Sequence, residues 1–236
     1  MRLAAELIKR TTPDARVWVG TPSWVNHLPI LTATGLQVET YTYVDPRRQA
    51  VEFDALIDAL TQANAGDVVL LQAGCHNPTG CDLTESQWRE LSDLCARNRL
   101  LPLIDCAYLG LGRGLGQDRA GIEIVCQRVP EALVAVSCSK NFGLYRERTG
   151  ALFILAETAK HADASLSHLF AISRPNYSMP PDHGAAVVST ILTDAALTNI
   201  WDEELTEMRE RILSVREKIA SLLLSLIHIS EPTRPY

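Results

Sequence analysis

Lys140 places a single ammonium group directly after an apolar run that is typical of a buried strand. Ser137 and Ser139 lie just before it in the segment SCSKNF, and Arg148 follows in the same stretch. Partial burial or a cationic neighbour lowers the pKa of a lysine from its usual value of about 10.4, and the free amine can then form an imine with an aldehyde. Lys140 is therefore a candidate nucleophile.

Other polar residues with matching chemistry also follow apolar runs. Asp105 ends the run LPLID, Tyr108 comes shortly after it, Asn77 follows the run DVVLLQ, and Trp24 lies in TPSWVNH. An aldehyde that suits this set is pyridoxal phosphate. Asp105 could keep its pyridine nitrogen protonated, Asn77 and Tyr108 could donate to its 3-oxygen, and Trp24 could stack on its ring.

The phosphate of such a cofactor requires a cation and hydroxyl donors. Arg148 could supply a forked contact, and Ser137 and Ser139 could supply hydroxyls. Each residue also has a simpler interpretation when it is taken alone. Asp105 could cap a helix or form a turn, and Trp24 could be a core residue, so the hypothesis depends on the residues meeting in space.

The elements that must position these residues alternate along the chain. Apolar runs predict strands at residues 16–20, 38–43, 67–72, 101–105, 132–137 and 151–155, and helical patterns occupy residues 83–98 and 120–128. Thr84 and Gln87 predict a capping box, with Trp88, Leu91 and Cys95 as the apolar stripe of that helix. Alternation of this kind predicts an α/β fold, with a mostly parallel sheet and helices on both faces. Ligands bind at the carboxyl ends of such strands, so we expect the candidate residues to meet there.

Two further segments carry structural expectations. The glycines of residues 110–116 are not followed at once by a strong helical pattern, so we interpret them as a flexible loop and not as a dinucleotide fingerprint. From about residue 202, apolar residues recur at steps of three and four and predict a long amphipathic helix. We expect its stripe, which includes Leu205, Met208, Ile212 and Val215, to be exposed in this chain.

The composition excludes several classes of protein. The 236 residues carry a net charge of −6, which argues against a nucleic-acid partner. No apolar stretch reaches the length of a membrane span, and no signal peptide is recognisable, so we expect a cytoplasmic protein with no membrane partner. The six cysteines show no C-x-x-C spacing and are expected to be reduced thiols. Cys75, His76 and Cys81 are poorly spaced for zinc, so we expect no metal site.

Four ordered motifs together resemble the class I aminotransferases, and most closely their aspartate and aromatic amino-acid branch. The motifs are HNPTG (76–80), DCAYLG (105–110), SCSKNFGLYRERTG (137–150) and RPNYSMPPDHG (174–184). The likeness extends from the first residues to about Leu222. It implies fold-type I, a homodimer, and pyridoxal phosphate at the strand ends.

The resemblance also assigns a role to each matching residue. Lys140 matches the Schiff-base lysine and proton shuttle, and Asp105 matches the partner of the pyridine nitrogen. Arg174 matches an arginine that reaches across the dimer to a dicarboxylate side chain. The remaining matches are the 3-oxygen ligands Asn77 and Tyr108, the phosphate ligands Ser137 and Arg148, and the stacking Trp24. Trp24 and Asn77 would also contact the substrate.

This sequence departs from the family pattern in several places. Gln72 stands where many relatives have a histidine. The glycine-threonine phosphate loop, the tyrosine lent to the partner subunit and the arginine that grips the substrate α-carboxylate have no counterpart here. We therefore interpret residues 1–201 as an incomplete large domain and residues 202–224 as the start of the interdomain helix. Residues 225–236 form a tail without likeness to the family, consistent with an artefact.

The resulting expectation is transfer of an amino group between an amino acid, either aspartate or aromatic, and 2-oxoglutarate in the parent enzyme. We expect this chain itself to be an inactive fragment. Two alternatives stay open on the sequence alone. One is another pyridoxal-phosphate reaction at the α-carbon, either decarboxylation or elimination, because the fold does not choose between them. The other is a truncated product without catalytic function.

Overall fold

The computed structural model of the protein describes residues 1–229. Within this range the chain forms eight β-strands and eight α-helices. The strands are β1 (Arg16–Thr21), β2 (Gln37–Thr42), β3 (Val44–Asp45), β4 (Ala50–Val51), β5 (Val68–Gln72), β6 (Leu101–Cys106), β7 (Ala132–Ser137) and β8 (Gly150–Leu155). The helices are α1 (Arg2–Thr11), α2 (His27–Thr32), α3 (Phe53–Thr61), α4 (Glu85–Asn98), α5 (Leu115–Arg128), α6 (Ala159–Tyr177), α7 (His183–Thr193) and α8 (Ala195–Ile229).

Six of the strands form one sheet in the order β2-β1-β5-β6-β7-β8. All pairs in this sheet are parallel except β7 with β8, which is antiparallel. The mostly parallel sheet confirms the predicted fold class, and each predicted strand lies within one or two residues of its observed bounds. The chain runs outward from β1 to β2 and then returns to the other side of β1 as β5. This reversal creates a crevice between the carboxyl ends of β1 and β5, where α/β sheets bind ligands.

Both faces of the sheet are covered, because successive residues of a strand point to opposite sides. On one face, Val17 and Val19 of β1 join a buried cluster that includes Ala4 and Ile8 of α1. On the other face, Trp18 joins a second cluster with residues of α3, α4 and α5. The predicted arrangement of helices on both sides is therefore confirmed. None of the helices in the described part of the chain has the length and apolar character that crossing a bilayer requires.

Helix α4 shows how local sequence sets an element boundary. The backbone N–H of Gln87 donates to the hydroxyl of Thr84, and the side-chain oxygen of Gln87 accepts from the backbone N–H of Thr84. The predicted capping box is thus present, and it satisfies two donors that the first turn of a helix leaves unpaired. The predicted stripe of Trp88, Leu91 and Cys95 is buried.

The glycine-rich segment after β6 differs from the expected flexible loop. Helix α5 begins at Leu115, directly behind the glycines and earlier than the predicted start near residue 120. The buried carboxylate of Asp118 accepts from the backbone N–H groups of Gly110, Gly112 and Arg113. These three bonds pin the loop to the first turn of α5. The sequence pattern missed this because the anchor is a single polar residue within a helix.

Helix α8 also corrects an expectation. It begins at Ala195, before the predicted start, and the predicted tail begins inside it, because α8 continues to Ile229. Residues 230–236 of the predicted tail lie outside the described residues. Met208, Ile212 and Val215 are exposed as expected, but Leu205 is fully buried. Its side chain packs on Gly110, where an added Cβ would clash with Leu205 Cδ2, so one residue of the stripe anchors α8 to the loop after β6.

Asp67 joins β1 to the start of β5. Its carboxylate accepts from the backbone N–H groups of Arg16 and Asn64, from the Arg16 guanidinium and from the Trp18 indole N–H. Burial alone would raise the pKa of Asp67, but these hydrogen bonds more than offset it and hold the pKa below its ordinary value. A carboxylate with a lowered pKa stabilises the fold at neutral pH and loses that contribution when it is protonated.

We expect Asp67→Asn to lower the free energy of unfolding by about 2 kcal/mol at pH 7, because its NH2 group would face donors. The wild-type chain should lose stability as the pH falls below about 4, whereas the variant should lose less over the same range. Urea unfolding at pH 7 and at pH 3.5 measures both effects. Asp58→Asn, at an exposed position of α3, is the control. If the wild-type chain and Asp67→Asn lose the same free energy of unfolding between pH 7 and pH 3.5, the role of Asp67 is contradicted.

Candidate active site

Four neighbouring parallel strands deliver the candidate residues to one edge of the sheet. The segment after β1 carries Trp24, and the segment after β5 carries Asn77. Asp105 is the second-last residue of β6 and pairs with Gln72 of β5, and Lys140 follows β7. The common direction of these strands is the reason that residues far apart in sequence meet here.

Asp105 is held by a buried histidine that the sequence did not single out. The Nε2 atom of His27 lies 2.9 Å from Oδ2 of Asp105, and its Nδ1 atom lies 2.8 Å from Oγ of Ser23. His27 is fully buried, whereas the side chain of Asp105 is 13% exposed. The carboxylate is therefore fixed from behind and still reaches the surface of the crevice. The only sequence signal for His27 was its position three residues after Trp24.

Asn77 and Tyr108 form a second pair at the same edge. The side-chain amide of Asn77 donates to the hydroxyl of Tyr108 at 3.1 Å. The backbone of Asn77 is bound in turn by Gln72, whose Oε1 accepts from the N–H of Asn77 at 2.9 Å and whose Nε2 donates to its carbonyl at 3.0 Å. A glutamine in this place thus fixes the loop that carries Asn77.

Lys140 lies beside this pair. Its Nζ atom is 4.8 Å from the centroid of the Tyr108 ring, within cation–π distance. Among the described residues, the Lys140 ammonium group forms neither a hydrogen bond nor an ion pair. Trp24 is half-buried, and its ring meets that of His27 edge-on at 5.2 Å and 87°. Trp24 and Asp105 are therefore linked through His27, Asn77 and Lys140 are linked through Tyr108, and all five residues follow or end strands at the same edge of the sheet.

The remaining candidate residues do not all lie with this group. The Ser137 hydroxyl accepts from the backbone N–H of Ser139 at 3.2 Å, just before Lys140. Arg148 is exposed and donates to the carbonyl of Tyr145. Arg174 is also exposed and donates to Ser178 near the end of α6. The structure therefore brings Ser137 to the crevice, but it shows no contact of either arginine with the crevice residues.

The electrostatics argue against a thiol as the nucleophile of this site. Burial raises the pKa of the Cys138 thiol, and burial with the nearby charges of Asp105 and Asp118 raises the pKa of Cys106 to about 12. Both thiols are therefore protonated and unreactive near neutral pH. Burial, and secondarily the neighbouring His27, lowers the pKa of His76 to about 4, so His76 is neutral. Within residues 1–229, no group of three or more histidine, cysteine or acidic residues is arranged to hold a metal ion.

The known proteins that this chain resembles are aminotransferases. The family model "Aminotransferase class I and II" matches residues 1–234. The chain is 54% identical over 220 residues to a tyrosine aminotransferase of Rhizobium meliloti (strain 1021). The aligned residues cover 93% of this chain and 56% of the relative. It is 49% identical over 223 residues to an aspartate aminotransferase of Haemophilus influenzae, covering 94% of this chain and again 56% of the relative.

Solved structures agree in fold. An aromatic amino acid aminotransferase in complex with 3-indolebutyric acid superposes with a TM-score of 0.92 at 44% identity, over 95% of this chain and 57% of that one. An aromatic-amino-acid aminotransferase of Burkholderia pseudomallei, covalently bound to pyridoxal phosphate, gives a TM-score of 0.91 at 35% identity, over 99% of this chain and 58% of that one. The chain thus spans somewhat more than half the length of these relatives. With a family match over nearly all of its residues, it belongs to the class I and II aminotransferases.

Proposed function

We propose that this chain carries the pyridoxal-phosphate site of an aminotransferase that exchanges an amino group between an aspartate or aromatic amino acid and 2-oxoglutarate. The observation that supports this most is the position of Lys140, an amine without an anionic partner among the described residues. It lies at the same sheet edge as a histidine-bound carboxylate, Asp105. An amine and a carboxylate are the two groups with which a protein commonly tunes this cofactor.

The residues present fit pyridoxal phosphate. Lys140 would hold its aldehyde carbon, and Asp105 would hold its pyridine N–H, since Oδ1 of Asp105 has no hydrogen-bond partner within the described residues. Asn77 and Tyr108 would donate to the 3-oxygen, and Trp24, whose ring stands at 87° to that of His27, would stack on the cofactor ring. Hydroxyl donors for the phosphate would come from Ser137 and Ser139, and Arg148 would have to turn away from the Tyr145 carbonyl to supply a guanidinium.

When bound, this cofactor supplies an electron sink that weakens the bonds at the α-carbon of an amino acid. The protein's own groups determine how that sink is used. The ionised Asp105 would keep a proton on the pyridine nitrogen because an adjacent negative charge favours the protonated form. Tyr108 and Asn77 would orient the ring, and Nζ of Lys140 would move a proton away from the substrate α-carbon. A proton shuttle in this position favours transamination.

Two features of the proposal lie beyond the crevice. We place Arg174 at the distal carboxylate of a dicarboxylate substrate bound by the partner subunit of a homodimer, which is consistent with its exposure here. We also place the protein in the cytoplasm. The six cysteines are free thiols, as is usual in a reducing compartment. We retain the large domain as residues 1–201, with the interdomain helix following.

Binding and turnover test the proposal together. The purified chain is titrated with pyridoxal phosphate, and the visible absorption band is followed before and after borohydride reduction. Turnover with aspartate or phenylalanine and 2-oxoglutarate is then expected in a full-length enzyme, in which this chain is extended to the length of its relatives, and not in this chain alone. The proposal requires a band that borohydride removes. A chain with a native circular dichroism spectrum that gives no such band at millimolar cofactor would overturn it.

We expect Arg174→Ala to lower kcat/KM for aspartate by roughly 10- to 100-fold and to leave kcat/KM for phenylalanine within about threefold. The reason is that a guanidinium pairs with a distal carboxylate, which phenylalanine lacks. Steady-state assays of the full-length enzyme with both amino acids measure the ratio of the two losses. Arg97→Ala, at an exposed arginine of α4, is the control and should change neither value. Equal losses on both substrates would assign Arg174 a structural role.

A further inference from the structure

The orientation of the Gln72 amide is fixed by the backbone of Asn77. A peptide N–H can only donate and a peptide carbonyl can only accept, so Oε1 of Gln72 must face the N–H of Asn77 and Nε2 must face its carbonyl. The two contacts, at 2.9 and 3.0 Å, leave one hydrogen on Nε2 for another partner. Nε2 of Gln72 lies 3.4 Å from Oγ of Ser23, a long contact in which Nε2 can only be the donor.

The direction of the next hydrogen bonds follows from this contact. The Ser23 oxygen can accept more than one hydrogen bond, but Nε2 of Gln72 cannot accept the single Ser23 hydrogen. Among the described residues, the remaining acceptor in contact with the Ser23 hydroxyl is Nδ1 of His27, 2.8 Å away, so the hydrogen is directed there. Nδ1 of His27 must then be unprotonated. The ring carries its proton on Nε2 and donates it to Asp105.

We infer that Gln72 is a positioning residue that sets the direction of the whole chain of hydrogen bonds from Asn77 to Asp105. It holds His27 as the neutral ring protonated on Nε2. Asp105 then receives one hydrogen bond and keeps its full negative charge for the pyridine nitrogen. Only this last consequence depends on the proposed function.

The inference is specific to the residue present in this chain. The amide cannot ionise, and its donor side cannot become an acceptor without losing both bonds to Asn77. A histidine in this place would have two tautomers and could donate to Ser23 or accept from it. Gln72 therefore removes an alternative that a histidine would allow.

The other groups around His27 do not supply this control. Asp105 attracts a proton to Nε2 but leaves Nδ1 free to bind a second proton, which would give a cation. The Trp24 ring makes only an edge contact, and the neighbouring His76 is neutral because burial lowers its pKa to about 4. The state of Nδ1 is thus set through Ser23 and Gln72.

The experiment reads the ring nitrogens of His27 directly. The chain is labelled with ¹⁵N-histidine and studied by NMR at pH 7.5 without cofactor, and the His27 signals are assigned by their loss in His27→Gln. In the wild-type chain we expect Nδ1 to be unprotonated and Nε2 to be protonated. A proton on Nδ1 in the wild-type chain would overturn the inference without any variant.

Gln72→Glu tests the cause. A carboxylate only accepts, so the Ser23 hydroxyl should turn to Glu and accept from Nδ1–H of His27 instead. We expect the population with a proton on Nδ1 to rise about tenfold or more. Gln37→Glu, at an exposed position of β2, is the matched control and should leave His27 unchanged.

Ser23→Ala provides a second arm in case Gln72→Glu disturbs the fold, which the remaining histidine signals report. It removes the donor to Nδ1, so the population with a proton on Nδ1 should again rise. If Gln72→Glu is folded and the population of His27 with a proton on Nδ1 is unchanged, the inference is contradicted. If Gln72→Glu is unfolded, the same unchanged population in Ser23→Ala contradicts it. Because no cofactor is present, failure of the proposed function would leave all of these results interpretable.

Discussion

Replacing Lys140 with Ala should abolish the covalent attachment of pyridoxal phosphate that borohydride produces in the wild-type chain. The amine of Lys140 lies beside Tyr108 and has no competing ion pair among the described residues, so we expect it to be the group that the cofactor aldehyde meets. In the full-length enzyme, turnover should fall by roughly 10³-fold or more, because the general base is lost together with the anchor. Peptide mass spectrometry of the reduced protein locates the label.

Lys160→Ala is the matched control, because Lys160 is an exposed lysine in the first turn of α6. It should retain the wild-type yield of label. A Lys140→Ala chain that is labelled in equal yield, at whatever residue, would remove Lys140 from the site. Lys140→Arg separates charge from reactivity, since a guanidinium keeps the cation but does not form the covalent bond.

The sheet was predictable because its strands are continuous apolar runs. A parallel strand buried on both faces, such as β5 or β7, needs apolar residues at nearly every position, and such runs are visible without any structural information. Helix α4 was predictable for a different reason, since its capping box and apolar stripe agree. Where several local signals coincide, the observed boundaries differ from the predicted ones by only a few residues.

Other helices were not predicted, for different reasons. The sequence of α1 does carry a signal, since Ala4, Ala5, Leu7 and Ile8 have the spacing of one buried helical face. Helix α2 has only six residues and contains Pro29, and α7 buries only Gly184. These helices form because the surrounding structure stabilises them, and tertiary packing of this kind is not encoded in a local pattern.

The site was predictable in its chemistry but not in its connections. Lys140 and Asp105 follow recognisable strands, so their meeting at one edge could be expected from topology. His27 could not be identified in this way, because a lone histidine carries no signal until the end of β1 is placed beside that of β6. Gln72 was visible only as a departure from the family pattern. Its role depends on hydrogen-bond directions that exist only in the folded chain.

Asp105→Asn should retain some cofactor and lose most of the turnover. A charge-assisted hydrogen bond to the pyridine N–H is worth roughly 1.5–3 kcal/mol, so the dissociation constant of the cofactor should rise by roughly 10- to 100-fold. The loss of turnover should be larger, at about 10³-fold, because the carboxylate acts most strongly when charge develops on the ring. Equilibrium binding and steady-state turnover of the same preparation measure the two effects separately.

The loss of cofactor affinity and the loss of turnover, compared with each other, show what Asp105 does. The side chain of Asn has nearly the same shape, and its oxygen can still accept from His27, so the crevice should keep its geometry. A residue that only positioned its neighbours would therefore show a small loss in both measurements. Asp58→Asn, at an exposed position of α3, should show no loss in either. Turnover of Asp105→Asn close to the wild-type value would refute the assignment, whereas a turnover loss well above the binding loss identifies Asp105 as the carboxylate that keeps the pyridine nitrogen charged.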